Sequence, residues 1–419
     1  MTSAIRPSMS SGLVVLVLSL LLGVQPIATD LYLPALPAMT QGFGASMHQA
    51  QLTLTALLLA FGLSQLVWGP LSDRLGRRPI LLWGMGAFAL ASAGSVFASS
   101  MEQLVLWRTV QGAAMGAAVM CARAIVRDLY GPAEGARMMS KGLSGLGVFA
   151  CISAPLGGFL SDWFGWRAAL GALAVFGAGT LALLVWRFEE TLPPERRQVL
   201  SWSEKMRVWS NILRHPTFWT YALLATASYG GLFTFLATSS FVFINALGLS
   251  KTHYGLLMFS MSFVYIVGTV VCRRLIPRLG VRRTVALAAA FTLSGGTLMG
   301  LFGWLGWHNT WAIMLPYYLF ILAHGVHQPC GQSGAVSPFP QAAGTASALS
   351  GFLMMVAAFA MGQWLGGRMP VGTDNATVLP LTNGLWFWSL VIATIAWTLV
   401  QRYGETRQPP QRTHTPATS

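Results

Sequence analysis

Two ionisable side chains stand where charge is expensive. Asp30 interrupts the apolar run 12–36, and Arg108 interrupts the apolar run 102–126. An ionised side chain at the middle of a membrane span costs about 2.5–3.5 kcal/mol on insertion scales, so each asks for a functional reason. A carboxyl that is neutral in one part of a cycle and charged in another suits proton uptake and release. The plainer alternative for Asp30, which is followed by Leu31, Tyr32, Leu33 and Pro34, is a place near the outer headgroups, ending a helix. Arg108 keeps its proton and must find a partner or water, which makes it the natural counter-charge for a buried carboxylate. Its alternative is to snorkel to an interface. Gln111 lies on the same span. His324 and His327, beside Gln328, Gln332 and Ser333, are candidates for a proton or substrate role. Tyr229, Phe233 and Tyr265 could line an apolar cavity together with Tyr32, Gln111 and His327.

Other chemistries find no footing in the sequence. The histidines have no further ligands at metal-binding spacing, and Cys121, Cys151, Cys272 and Cys330 contain no C-x-x-C pair, so neither a metal nor another cofactor is expected. The cysteines read as small packing residues. A nucleophile–base constellation is also missing, so an enzyme is not expected.

A second kind of feature is a short polar stretch over 69–79, with Gly69, Asp73, Arg74, Gly76, Arg77, Arg78 and Pro79 between two apolar runs. The glycines permit close backbone approach, and Asp73 can accept from Arg side chains or from free N–H groups at a helix end, which describes a latch. About two hundred residues later Arg278, Leu279, Gly280, Val281, Arg282 and Arg283 form a worn copy, without the Asp. In the fifth apolar run Gly145, Gly147, Pro155, Gly157 and Gly158 form a small-residue face suited to close packing or a hinge.

The elements that must carry these residues follow from composition. Of 419 residues, 54% are apolar and 9% charged, against about 25% charged in a soluble domain. This is an all-α polytopic membrane protein. At about 20 residues per span the length accommodates roughly twelve transmembrane helices. They are expected at 12–36, 48–70, 79–99, 102–126, 138–160, 166–186, 217–245, 252–274, 282–304, 310–331, 341–366 and 383–402. The first run continues past Pro26 and Asp30 and is expected to be a span, not a cleaved signal. The expected organisation is a six-helix bundle over 1–187, a cytoplasmic loop over 188–214, a second six-helix bundle over 215–403, and a disordered tail over 404–419. The net charge of +14 is concentrated in connections on one side, so it reports topology and not nucleic acid, and both termini are expected in the cytoplasm.

The string G-x-x-x-D-R-x-G-R-R resembles the signature loop of the major facilitator superfamily of transporters. Further strings resemble that superfamily's bicyclomycin and chloramphenicol resistance branch of drug/proton antiporters. They are Thr29-Asp30-Leu31-Tyr32-Leu33-Pro34, Arg108 with Gln111-Gly112, Arg127-Asp128-Leu129-Tyr130, the run from Glu190-Thr191-Leu192 to Arg197, and Ser337-Pro338-Phe339-Pro340 followed by Ala343-Gly344-Thr345-Ala346-Ser347. The resemblance covers nearly the whole chain. It implies two pseudo-two-fold related bundles around a central cavity, and proton-driven export through a first-span acid matching Asp30. It places Arg108 and Gln111 in a fourth-span motif tied to proton coupling. Gly69, Asp73, Arg74, Gly76, Arg77 and Arg78 fall in a conformational latch with Asp128 as acidic partner. Pro155, Gly157 and Gly158 fall in a fifth-span antiporter motif, where Ala154 replaces the usual glycine. Relatives with a second first-span acid find only Leu22 here, which argues against a two-carboxylate scheme.

The expectation is therefore a monomeric exporter in a bacterial inner membrane, in contact with lipid, exchanging antibiotic-like molecules such as bicyclomycin or chloramphenicol for protons. The alternatives are a proton-coupled carrier or exporter of an endogenous amino acid, peptide or sugar-like metabolite, and a receptor that binds without flux.

Overall fold

The computed structural model describes residues 9–197, 202–368 and 378–404, and among these no strand occurs. The expected tail, apart from Gly404, lies outside the described residues. The helices in chain order are α1 (Ser11–Asp30), α2 (Leu36–Gly42), α3 (Met47–Leu75), α4 (Arg77–Val96), α5 (Met101–Leu129), α6 (Pro132–Trp163) and α7 (Trp166–Arg187). They continue with α8 (Trp202–Leu213), α9 (Pro216–Ser240), α10 (Lys251–Trp304), α11 (Thr310–Val336), α12 (Ala343–Gly366), α13 (Val378–Trp397) and α14 (Leu399–Tyr403). Starts obey local chemistry. Ser46 and Gln49 form a reciprocal capping box before α3, Ser100, Ser250 and Asn309 accept from the first-turn N–H groups of α5, α10 and α11, and Pro132 and Pro216 occupy first-turn positions of α6 and α9.

Among the described residues, ten stretches are long and apolar enough to cross a membrane. One of them, α10, is 54 residues long and bends at Gly280, so it contributes two crossings. With α11, which packs along it, the chain makes the twelve crossings expected. The polar connection 188–214 is not wholly a loop, since α8 lies within it.

The two halves repeat one packing plan. In the first, α3 packs on α5, α1 on α6 and α4 on α7; in the second, α10 packs on α11, α9 on α12 and α10 on α13. The repeat extends to backbone detail. Gly76 (φ 104°, ψ 166°) and Gly280 (φ 74°, ψ 167°) make the same kink in the two copies of the Arg-rich stretch, in a region of φ open in practice only to glycine.

The halves meet where α3 runs against α12 and α6 against α10. Taking the Arg-rich ends as inner, the contacts concentrate at the outer ends. His48 and Gln363 are hydrogen-bonded at 2.9 Å, the Gln51 side chain donates to the Ala237 carbonyl, and Asp162 accepts from the backbone N–H (2.7 Å) and hydroxyl (2.6 Å) of Thr252. The α3–α12 seam continues inward through Thr55 beside Gly362, Gly62 beside Met355 and Gln65 beside Gly351. It then opens: nothing of the second half lies within 4 Å of the Gly69 Cβ position, and nothing at all lies that close to Gly344. Nearer the inner side, Arg123 still donates across the gap to Ser347 Oγ at 2.8 Å. With that orientation, the outer ends of the two halves are joined by hydrogen bonds and the α3–α12 seam loosens toward the inner ends. If the outer seal moves during function, a disulfide between His48→Cys and Gln363→Cys should arrest activity and reduction should restore it; unchanged activity in the fully cross-linked protein would show that the seal is static.

Candidate functional site

Asp30 sits at a break in the first crossing. Pro34 has no N–H to offer the Asp30 carbonyl, Pro37 has none for Leu33, and α1 gives way to a 3-10 turn over Leu33–Ala35 before α2 resumes. The combined stretch Ser11–Gly42 is 32 residues long, and about 18 Å of chain at 1.5 Å per residue lies beyond Asp30. That length of chain argues against the headgroup alternative. Asp30 lies well within the stretch, half-buried, and its carboxylate accepts from the Thr29 hydroxyl at 2.7 Å. Tyr229 and Tyr254 of the second half lie within electrostatic reach of it, and the Tyr229 hydroxyl meets Gln25. The acid thus stands on the boundary between the two bundles.

Arg108 is fully buried, with no exposed surface. Its partners are neutral. Nη2 donates to the Ala28 carbonyl at 2.6 Å, Nη1 donates to Gln111 Oε1 at 2.8 Å, and the guanidinium lies 4.1 Å from the centre of the Tyr32 ring. Gln111 passes the chain on to Ser92 Oγ at 2.9 Å, and the Tyr32 hydroxyl is bonded to Thr53. The helix break explains the first contact, because the turn at Leu31–Tyr32 leaves the Ala28 carbonyl available. Arg108 therefore holds the backbone two residues before Asp30 instead of forming an ion pair with its carboxylate. The network leaves a buried cation held by neutral partners alone, an arrangement that is costly without a functional return.

The remaining cavity candidates do not form one surface in this conformation. Tyr32, Gln111 and Phe233 are buried. His327 is also buried, bonded to Thr292 Oγ1 at 3.1 Å, while His324 is bonded to Ser228 Oγ at 2.7 Å and faces the half-buried Tyr265 ring at 5.5 Å. No group of three metal-ligating side chains occurs among the described residues.

The small residues of α6 lie beside the Asp30 break. A Cβ at Gly157 would overlap the Leu31 carbonyl, one at Gly158 the Lys251 carbonyl, and the Ala154–Pro155 backbone lies against Gly255. The helix is unbroken across Pro155, so Pro155, Gly157 and Gly158 make a three-helix junction between the break and the outer seal. Gly157→Val should abolish function while leaving membrane insertion intact; a variant with full activity would show that the junction yields easily.

The polar stretch proves to be two helix ends joined at Gly76. Arg77, 1% exposed, donates from Nη1 to Asp73 (2.7 Å) and to Ser72 Oγ (2.8 Å), and from Nε to Asp128 (2.8 Å). Glu190 caps α4: its carboxylate accepts from the backbone N–H groups of Arg77 (2.8 Å) and Arg78 (3.1 Å), and Oε1 also accepts from Leu192 N–H. Arg78 donates to the carbonyls of Phe188 and Val185 at the end of α7. A carboxylate at a helix N-terminus satisfies orphan donors and opposes the helix dipole. A Cβ at Gly76 would strike Glu190, a second reason for glycine there. Arg74 is exposed and outside this knot, while Gly69 faces Met120 within the same half.

Glu190, Tyr254 and Asp162 have roles that no local sequence pattern announces. Glu190 is visible as an acid just after an apolar run, but only folding brings it to the start of α4. Asp162 and Tyr254 meet their partners across the boundary between the halves, which no local pattern encodes.

Comparison with known proteins agrees with this architecture. The family model described as Major Facilitator Superfamily matches residues 18–362. The chain is 32% identical over 345 residues to multidrug resistance protein D of Escherichia coli (strain K12), covering 81% of this chain and 85% of that protein. It is 29% identical over 375 residues to the chloramphenicol resistance protein of Pseudomonas aeruginosa (88% and 85% covered), and 26% identical over 390 residues to a bicyclomycin resistance protein homolog of Haemophilus influenzae (93% and 96%). Among solved structures, the D-xylose–proton symporter superposes with a TM-score of 0.73 at 15% identity (93% and 96% covered), and the human organic anion transporter MFSD10 with 0.69 at 21% (94% and 100%).

Proposed function

This chain belongs to the major facilitator superfamily, and on that premise we propose that it exports small antibiotic-like molecules across a bacterial inner membrane in exchange for protons, with both termini in the cytoplasm. Relatives named for multidrug, chloramphenicol and bicyclomycin resistance support drug efflux. The observation that carries proton coupling is the position of Asp30: a carboxyl well within the first crossing, at a helix break, on the boundary between the bundles, with Arg108 holding the backbone beside it.

In this reading, drug enters from the looser inner side with Asp30 ionised or yielding its proton. Rearrangement opens the outer seal, and a proton from outside neutralises Asp30 as drug leaves. Neutral Asp30 favours the return. For an electroneutral drug the exchange moves one net charge per proton, worth about 2.3 kcal/mol per 100 mV. The Arg distribution supports this orientation, since positive residues favour the cytoplasmic side of membrane spans.

The test is proton movement in proteoliposomes on addition of chloramphenicol or bicyclomycin. Drug-evoked proton release supports exchange. Saturable drug flux without proton movement would leave an uncoupled exporter, and binding without flux would favour a receptor. A protein inert toward a broad drug panel that moves protons with an amino acid, peptide or sugar would be a metabolite carrier.

A further inference from the structure

The first leg of α10 and α11 run side by side in a constant register. Ser260 Oγ is bonded to the Tyr318 hydroxyl at 2.7 Å, 58 residues on, and Tyr265 faces His324. Gly268 and Gly325 then bring the backbones into contact, with a Cβ at Gly325 falling 2.8 Å from the Gly268 Cα. No side chain separates the helices at that level. One turn further inward the same register, again 58 residues, places Cys272 Sγ 3.8 Å from Cys330 Sγ. Both thiols are buried, yet Arg273 and Arg274, which follow Cys272, are exposed at the inner end, so the pair lies just inside the Arg-rich surface. The Arg273 guanidinium is within electrostatic reach of the Cys272 sulfur.

We propose that Cys272 and Cys330 are a redox-active dithiol, which a hydroperoxide or a small disulfide oxidant on the inner side converts to an intramolecular disulfide stapling the two helices. Both S–H bonds break and one S–S bond forms. The two electrons and two protons pass to the oxidant, so hydrogen peroxide leaves as two waters and a disulfide oxidant as two thiols. Since an S–S bond is about 2.05 Å long, the sulfurs must close by roughly 1.8 Å, within reach of side-chain rotation on helices already in backbone contact. Cys121 and Cys151 lie on other helices, α5 and α6, and are not required. Intracellular disulfides of this kind are typically transient and redox-sensing, which suits a site close to the inner surface.

The test uses the full-length protein, reduced, then treated with hydrogen peroxide or diamide, denatured, and labelled at free thiols with a maleimide polymer that retards each labelled chain on a gel. Four labels before oxidation and two after are expected, with a Cys272–Cys330 cross-linked peptide in the digest. Cys272→Ser and Cys330→Ser should each keep three labels in both conditions. Oxidised wild type should also unfold at a higher temperature than reduced wild type, a shift absent from either variant. Four labels after oxidation, a cross-link to a different cysteine, or a disulfide-linked dimer on a non-reducing gel would each overturn the proposal.

Discussion

Asp30→Asn should abolish drug-evoked proton release, to the level of empty vesicles, while the protein still binds drug and inserts normally. Asn keeps the size of the side chain and a hydrogen-bonding oxygen for Thr29, so the helix break should survive. What it removes is the ability to alternate between neutral and charged at a boundary position faced by Tyr229 and Tyr254. Drug exchange down its own gradient should persist, because it needs no net proton step; uphill export should fall to background. The measurement is paired drug and proton flux in the same vesicles. Proton release that survives in Asp30→Asn would move coupling elsewhere, with His324 and His327 next to be replaced. Loss of all drug movement, with binding retained, would instead show that neutralising this site stalls the conformational change.

Arg77→Ala should be the most damaging change outside that site. The guanidinium is the common partner of Asp73 and Asp128, and the Asp128 side chain is only 9% exposed. Breaking a buried pair by removing one partner costs about 3–5 kcal/mol, because the remaining charge is left unpaired. Arg77→Lys keeps the charge but loses the planar fork that reaches both acids, so an intermediate loss is expected. Thermal unfolding of the purified protein, with and without the change, checks the stability; an Arg77→Ala protein as stable as wild type would mean that solvent or Arg127, 3.4 Å from Asp73, takes over.

The same knot bears on movement. If the antiparallel α3–α12 register, which pairs Gly62 with Met355 and Gln65 with Gly351, is continued inward, Asp73 arrives at the start of α12 near Ala343. That helix has Ala342 as its cap residue, with no side-chain hydrogen bond, so its first N–H groups can welcome a carboxylate. Asp73 would then trade Arg77 for a helix end as the inner side closes. Destabilisation by Arg77→Ala should accordingly be accompanied by faster closure of the inner side, visible as reduced labelling of Gly344→Cys by a cytoplasmic thiol reagent.

Much of this protein is written in local sequence. Apolar runs of the right length specify helices that can be satisfied only by crossing a bilayer, because backbone groups in hydrocarbon must bond within their own segment. Asp30, Arg108 and the Arg77 stretch are conspicuous for the same reason: charge among apolar neighbours is costly, so its presence signals a purpose. The repeat around Gly76 and Gly280 is legible because a positive-φ kink narrows the choice of residue to glycine. Partners were decided by tertiary structure alone. Arg108 is a plausible mate for Asp30 by type, yet the break in α1 exposes the Ala28 carbonyl and the guanidinium takes that instead. Glu190 reaches the start of α4 only because α7 returns the chain to the same end of the bundle. Cys272 and Cys330 meet only because two glycines one turn away, Gly268 and Gly325, let their helices touch. Helix formation and burial depend on neighbours along the chain, which a sequence displays; pairing between helices depends on register and crossing, which side chains from distant segments settle together.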